Sequence, residues 1–182
     1  MTFRILSSAL LVTALSACGG AVNHPAEVVF DGPEKAVAYL APTEGNEGLS
    51  GYVTFQKSDD GIHIMAHIEG LEPNSDHGFH VHQFGDCSAA NGTSAGGHFN
   101  PEGLPHGGPG YDARHVGDLG NVTSMDSGMV HHEAVDTKLA MVGENSILGR
   151  AVVVHAGQDD MNSQPTGAAG SRLLCGVIGV AE

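Results

Sequence analysis

Between His77 and Asp118 the chain gathers six of its twelve histidines into a stretch dominated by glycine and proline. A segment of that composition has no apolar set with which to hold itself. The chain must therefore fold into a scaffold that brings these imidazoles together, and metal ions are the staple that such a loop needs. His80 and His82 are two positions apart in 78–84, so on a strand both leave the same face and can share one ion. His98, His106, His115 and Asp118 follow at intervals of 8, 9 and 3 residues among Gly96, Gly97, Pro101, Gly103, Pro105 and Gly107 to Gly110. Imidazoles with one carboxylate suit zinc and copper rather than magnesium or calcium. The donors outnumber what one four-coordinate ion can use.

Outside this stretch the chain reads as short strands punctuated by Gly, Asp and Asn: 35–40, 50–57, 61–69, 118–124, 129–135, 150–155 and 173–180, with 78–84 as the eighth. In 61–69, Ile62, Ile64, Ala66 and Ile68 alternate with His63, Met65, His67 and Glu69, which predicts one buried and one wet face. Asp59-Asp60-Gly61 and Asp126-Ser127-Gly128 supply turns. His63 and His67 fall on the wet face and read as surface residues. His131 and His132 are adjacent, so they face opposite ways and cannot share an ion; both also read as surface. Short strands, 27 glycines, no helical period and no tryptophan point to an all-β antiparallel sandwich or barrel, and not to an immunoglobulin-type core.

Arg4 and the apolar run Ile5 to Ala17 have the form of a secretory signal, too short to span a bilayer. Leu15-Ser16-Ala17-Cys18 resembles the lipobox of bacterial lipoproteins, which predicts cleavage before Cys18, lipidation of its thiol, and anchoring on the periplasmic side of the outer membrane. The other reading is ordinary cleavage with Cys18 a spare thiol. Residues 18–33 form a polar tether that includes His24, and 34–182 form the folded domain. Removing residues 1–17 takes away Arg4 and no acid, moving the formal charge from −14 to −15, which disfavours nucleic acid and anionic membrane surfaces as partners. With Cys18 assigned to lipid, Cys87 and Cys175 are the remaining pair, and an exported chain favours a disulfide between them over two buried thiols.

The motifs Gly78-Phe-His-Val-His82, Gly97-His-Phe-Asn-Pro101, Arg114-His-Val-Gly-Asp-Leu-Gly-Asn121, the Gly149-Arg to Val-Val-His155 stretch, and Gly170-Ser-Arg with Cys175-Gly-Val-Ile-Gly179 together resemble the copper/zinc superoxide dismutases. The resemblance implies an eight-stranded Greek-key fold with long metal-binding and electrostatic loops. It also implies superoxide as substrate and a homodimer. By motif it assigns copper to His80, His82, His98 and His155, and zinc to His98, His106, His115 and Asp118. His98 would then bridge the ions and supply a proton. Alone, His155 after Val152-Val153-Val154 would read as a buried strand histidine. Asp159 matches a carboxylate linking His80 to His106, and Arg172 a guanidinium that guides substrate beside the copper; alone they would read as a solvated acid and a surface arginine. His77 matches a structural histidine. The competing function is a non-catalytic copper or zinc buffer, or a copper-delivery domain; the complete ligand set and Arg172 favour the enzyme. Between Asp159 and Ser171 there is no lysine, and Ala168 stands where the family carries asparagine, so steering of the anion should depend weakly on salt.

Overall fold

A computed structural model describes residues 31–182. The expected signal sequence, Cys18 and most of the expected tether lie outside these residues. Among the described residues there are nine strands: β1 (Lys35–Pro42), β2 (Ser50–Ser58), β3 (Gly61–Glu69), β4 (Asp76–His82), β5 (Asp118–Thr123), β6 (Val130–Asp136), β7 (Ala151–His155), β8 (Arg172–Val177) and β9 (Gly179–Ala181). All pairings between them are antiparallel. The ladder runs β5-β4-β7-β8-β1-β2-β3-β6. Its two ends, β5 and β6, approach each other without pairing, so the barrel is nearly closed. Among the described residues, no helix is long and apolar enough to cross a membrane.

The expected strand 173–180 is two strands, because β1 belongs to both sheets. Ala41 and Pro42 pair with Cys175 and Leu174 on β8, whereas Lys35 to Val37 pair with Ala181 to Gly179 on β9. The C-terminal segment follows β1 round this corner by breaking at Ile178, whose N–H donates to Arg150 O while its carbonyl accepts from Gly149 N–H. Close approach at the corner requires Gly176, where a Cβ would lie 2.4 Å from Tyr39 O.

The core follows from alternation. On β3, Ile62, Ile64, Ala66 and Ile68 are buried, and they meet Phe55, Val53, Val130 and other inward residues. Burial of each such side chain contributes roughly 1.5–3 kcal/mol. β4 and β7 are buried on both faces, and their parity separates two jobs. Phe79 and Val81 on β4 and Val152 and Val154 on β7 enter the barrel core. Their neighbours His80, His82, Ala151, Val153 and His155 point away from it, and the register pairs His80 with Val153 and His82 with Ala151. Ala151 and Val153 pack with Ala95 and Cys175 in a second small cluster that Cys87 flanks. The covering loop is tied down by the disulfide Cys87–Cys175, with a Cα–Cα distance of 5.8 Å and a separation of 88 residues.

The surface reading of the remaining histidines needs one correction. His63 and His131 are exposed, but His132 is half-buried with its ring edge-on to Phe79 at 6.0 Å. Adjacent residues do face opposite ways, and on β6 one of those ways is toward Phe79. His67 is on the outer face, where its side chain is only 20% exposed.

Candidate metal centre

β4 delivers His80 and His82 from one face, as period-two geometry requires. β7 delivers His155 alongside them through the β4–β7 ladder. His98 arrives from the glycine-rich loop by an isolated bridge to His82, and Phe99 N–H donates to Val81 O at 2.9 Å, which locks the loop onto the end of β4. Asp118 opens β5 opposite His80. The result is two groups of four donors, each with ligand atoms within 4.8 Å of one another: His80, His82, His98 and His155, and His98, His106, His115 and Asp118. All seven residues are buried.

In the second group Asp118 Oδ1 lies 2.7 Å from His98 Nδ1, 3.0 Å from His106 Nδ1 and 3.1 Å from His115 Nδ1. Four ligands tetrahedral about zinc at bonds of ~2.0–2.1 Å have edges of about 3.3 Å, so these donors are already gathered to nearly the right spacing. Burial alone would raise the Asp118 pKa, but hydrogen bonds from His115, His98 and Gly107 N–H outweigh it and hold the carboxylate ionised.

In the first group the ring nitrogens are sorted by their outer partners. His82 Nδ1 faces Gly96 O at 2.9 Å and His155 Nδ1 faces Gly170 O at 3.1 Å, which leaves the two Nε2 atoms 3.2 Å apart and free to donate lone pairs. His80 Nε2 is bound to Asp159 Oδ2 at 2.7 Å, which leaves Nδ1. His80 Nδ1 and His98 Nε2 are buried without a hydrogen-bond partner, and His106 Nδ1, although 3.0 Å from Asp118 Oδ1, makes no hydrogen bond to it. Orphaned buried lone pairs are costly, and metal ions would satisfy them. Burial drives the His80 pKa to about 3, His82 to about 2 and His155 to about 4, so all three imidazoles are neutral and ready to ligate at neutral pH.

Asp159, which alone looked like a loop acid, is fully buried. Its Oδ2 binds His80 and its Oδ1 accepts from His106 Nε2 at 2.9 Å, so one carboxylate ties the two donor groups together. Burial opposes its ionisation, but the bonds from His80, Met161 N–H and His106 prevail and set its pKa at about 2. Such carboxylates fix ring orientation and tautomer. Arg172 lies cross-strand from His155, and its guanidinium donates to Gly92 O and Gly96 O, each at 2.5 Å. His77 bridges Ser75 Oγ and His155 O at 2.7 and 2.8 Å and belongs to neither donor group.

Several supporting residues escaped the sequence reading. Asn121 accepts from Asp159 N–H at 2.7 Å and donates to Asp159 O at 2.9 Å. Gln164 clamps the His106 backbone from both sides, at 2.8 and 2.9 Å. Arg114 is buried, donates to the carbonyls of His115, Val116 and Asp118, and pairs with buried Asp136 at 2.5 Å. Of these, only Arg114 carried a usable signal: a lone cation beside His115, in a loop otherwise without cations, invites a search for a buried acid.

A family model described as copper/zinc superoxide dismutase matches residues 49–178. "Superoxide dismutase [Cu-Zn] 1" of Debaryomyces hansenii is 49% identical over 157 residues, covering 81% of this chain and 99% of that protein. "Superoxide dismutase [Cu-Zn]" of Candida albicans is 44% identical over 155 residues, covering 80% and 99%. Among solved structures, a crystal structure titled for the clock protein EA4 superposes with a TM-score of 0.75 at 42% identity, over 84% of this chain and 98% of that one.

Proposed function

This chain belongs to the copper/zinc superoxide dismutase family, and from that membership we propose that His80, His82, His98 and His155 hold the copper while His98, His106, His115 and Asp118 hold the zinc. The family activity is conversion of two superoxide anions and two protons to oxygen and hydrogen peroxide. The observation that carries the residue assignment is His98, which belongs to both donor groups: Nδ1 is turned to Asp118 at 2.7 Å, and Nε2 is buried with no partner. When bound, copper supplies a one-electron redox couple, and zinc supplies charge without redox chemistry.

The chain's residues supply the rest. His98 holds a proton at Nε2 in one half of the cycle and yields it to the departing peroxide in the other. Asp118 holds Nδ1 of the same ring at 2.7 Å, among the residues that would hold the zinc, so that only Nε2 exchanges. Asp159 holds His80 and His106 in fixed tautomers. The near-complete burial of all seven donors admits only a small substrate. The Arg172 guanidinium, with two of its donors spent on Gly92 O and Gly96 O, turns its remaining N–H groups to the approaching anion.

Pulse radiolysis of the copper- and zinc-loaded protein tests the reading. Rapid superoxide decay that His98→Ala slows supports it; a metal-loaded protein without activity supports the buffer function instead.

The same reading includes a homodimer. Phe84 at 52%, Val177 at 44% and Val180 at 65% exposure offer apolar surface to a second copy, and sedimentation equilibrium of Phe84→Glu against wild type tests it. It also includes lipidation of Cys18 and protection of the cell envelope from the periplasmic face of the outer membrane, supported by the lipobox and the polar tether. Cys18→Ser should move the protein from the membrane to the soluble periplasmic fraction.

A further inference from the structure

The outer face of the barrel carries histidines that the metal centre does not use. The β3–β6 ladder sets His67 directly opposite His131. Residues directly opposite in an antiparallel pair project from the same face, so these two imidazoles, remote in sequence, stand side by side. Their ring centroids are 4.7 Å apart in an edge-on arrangement. Tyr52, opposite His67 on β2, covers the other flank at 5.6 Å.

Glu69 lies two residues along β3 from His67, on the same face, with Oε1 3.0 Å from His67 Nε2. An ionised carboxylate only accepts, so Nε2 carries the hydrogen, and in the neutral ring Nδ1 is the bare lone pair. That Nδ1 is buried and has no partner. Among the described residues only three other side-chain nitrogens share this condition: His80 Nδ1, His98 Nε2 and His106 Nδ1, each in a metal-donor group. A carboxylate on one ring nitrogen with the other left as a lone pair is the arrangement that prepares histidine to bind a metal ion.

We propose that His67 Nδ1 and a ring nitrogen of His131 form an auxiliary site on the outside of the barrel for a divalent first-row transition ion, with Glu69 fixing the His67 tautomer. Metal–imidazole bonds of ~2.0–2.1 Å put two ligating nitrogens at most about 4 Å apart. Rings now in edge contact reach that spacing by a modest rotation of the exposed His131. Copper(II) is preferred over zinc by the general affinity order of such sites. Two protein donors leave the remaining positions to water. The site therefore holds copper more weakly than the interior and exchanges it readily, which suits uptake from the surroundings rather than catalysis.

The test uses holoenzyme with both interior sites filled, so it does not depend on how those sites are assigned. Copper(II) is added and followed by calorimetry and by electron paramagnetic resonance. The expected result is one further copper(II) per chain, with a nitrogen-coordinated axial signal. His67→Ala and His131→Asn each weaken that binding by about tenfold or more, while His63→Ala leaves it intact. All three variants keep the wild-type dismutation rate. His131→Asn places a polar residue at an exposed strand position, and an unchanged thermal midpoint guards against loss of fold. The proposal is overturned if the holoenzyme takes up no further copper, if both His67→Ala and His131→Asn retain it undiminished, or if only His63→Ala loses it.

Discussion

Gly167 stands so close to Asp159 that a Cβ at Gly167 would lie 1.8 Å from Asp159 Oδ1 and 2.7 Å from His106 Nε2. Its φ of +66° is also one that only glycine adopts without strain. The bond between the two donor groups thus depends on a missing side chain. Gly167→Ala should displace Asp159 from His106 and weaken zinc binding about 10- to 100-fold, the usual effect of losing an outer carboxylate. Zinc retention across a chelator series measures this, and wild-type retention would show that the loop yields without disturbing Asp159.

Asp118→Ala removes the oxygen on which three imidazole nitrogens converge. Three of the four proposed copper donors, His80, His82 and His155, keep their positions on β4 and β7, so zinc should be lost while copper content is preserved. An ion present at about 100 times its Kd stabilises the fold by about 2.7 kcal/mol, and the thermal midpoint should fall accordingly. Unchanged zinc content and midpoint would remove Asp118 from the ligand set.

Arg114→Met leaves Asp136 buried without its guanidinium. Breaking a buried pair from one side costs about 3–5 kcal/mol, and here it also releases the carbonyls of His115, Val116 and Asp118. Urea unfolding should show a loss of that order, together with easier zinc release. A change below about 1 kcal/mol would mean that the pair is not holding the loop.

Arg172→Ala should slow the second-order rate about tenfold or more, as expected from losing one charge-assisted contact of roughly 1.5–3 kcal/mol, with copper content unchanged. With a Debye length of about 8 Å at physiological ionic strength, distant carboxylates are screened and the local guanidinium dominates. The wild-type rate should therefore fall only shallowly with salt. Pulse radiolysis across a salt series decides it: equal rates for both proteins exclude guidance by Arg172, and a wild-type rate that rises with salt means that the global negative charge dominates.

Acid should destabilise the protein well above the carboxylate range. The folded-state pKa values of His80, His82 and His155 are depressed by burial to about 3, 2 and 4, below the unfolded value near 6.5. The unfolded chain therefore binds protons first. The stability linked to these groups is complete above pH ~6.5 and is lost as pH falls from there toward 4, with Asp159 adding a further loss below pH ~4. Metal ligation requires the same neutral imidazoles, so metal release runs in the same direction. Thermal midpoints between pH 8 and pH 4 check the sign; a midpoint flat from 6.5 to 4 would contradict it.

What was legible in the sequence was whatever repeats locally. The alternation of β3, the shared face of His80 and His82 and the turn at Asp59-Asp60-Gly61 depend on neighbours within a few positions, and the structure follows them. Motif resemblance added His155, Asp159 and Arg172, which composition and spacing alone left as a core histidine, a loop acid and a surface arginine.

The sequence by itself determined that the chain is all-β and that it concentrates metal donors in a loop unable to support itself. These follow from period and composition; the pairing of Cys87 with Cys175 followed only with Cys18 set aside by resemblance to a lipobox, and the structure shows it directly. Tertiary structure alone decided that His155 joins His80 and His82, because only the β4–β7 register puts Val153 beside His80 and so sets the parity of β7. It alone turned Asp159 inward, split the last strand at Ile178 to follow β1 between sheets, paired Arg114 with Asp136, and set His67 against His131. Each of these is a contact between segments far apart in the chain, and no local pattern encodes the partner, because the register of a distant strand is fixed only when the whole barrel closes.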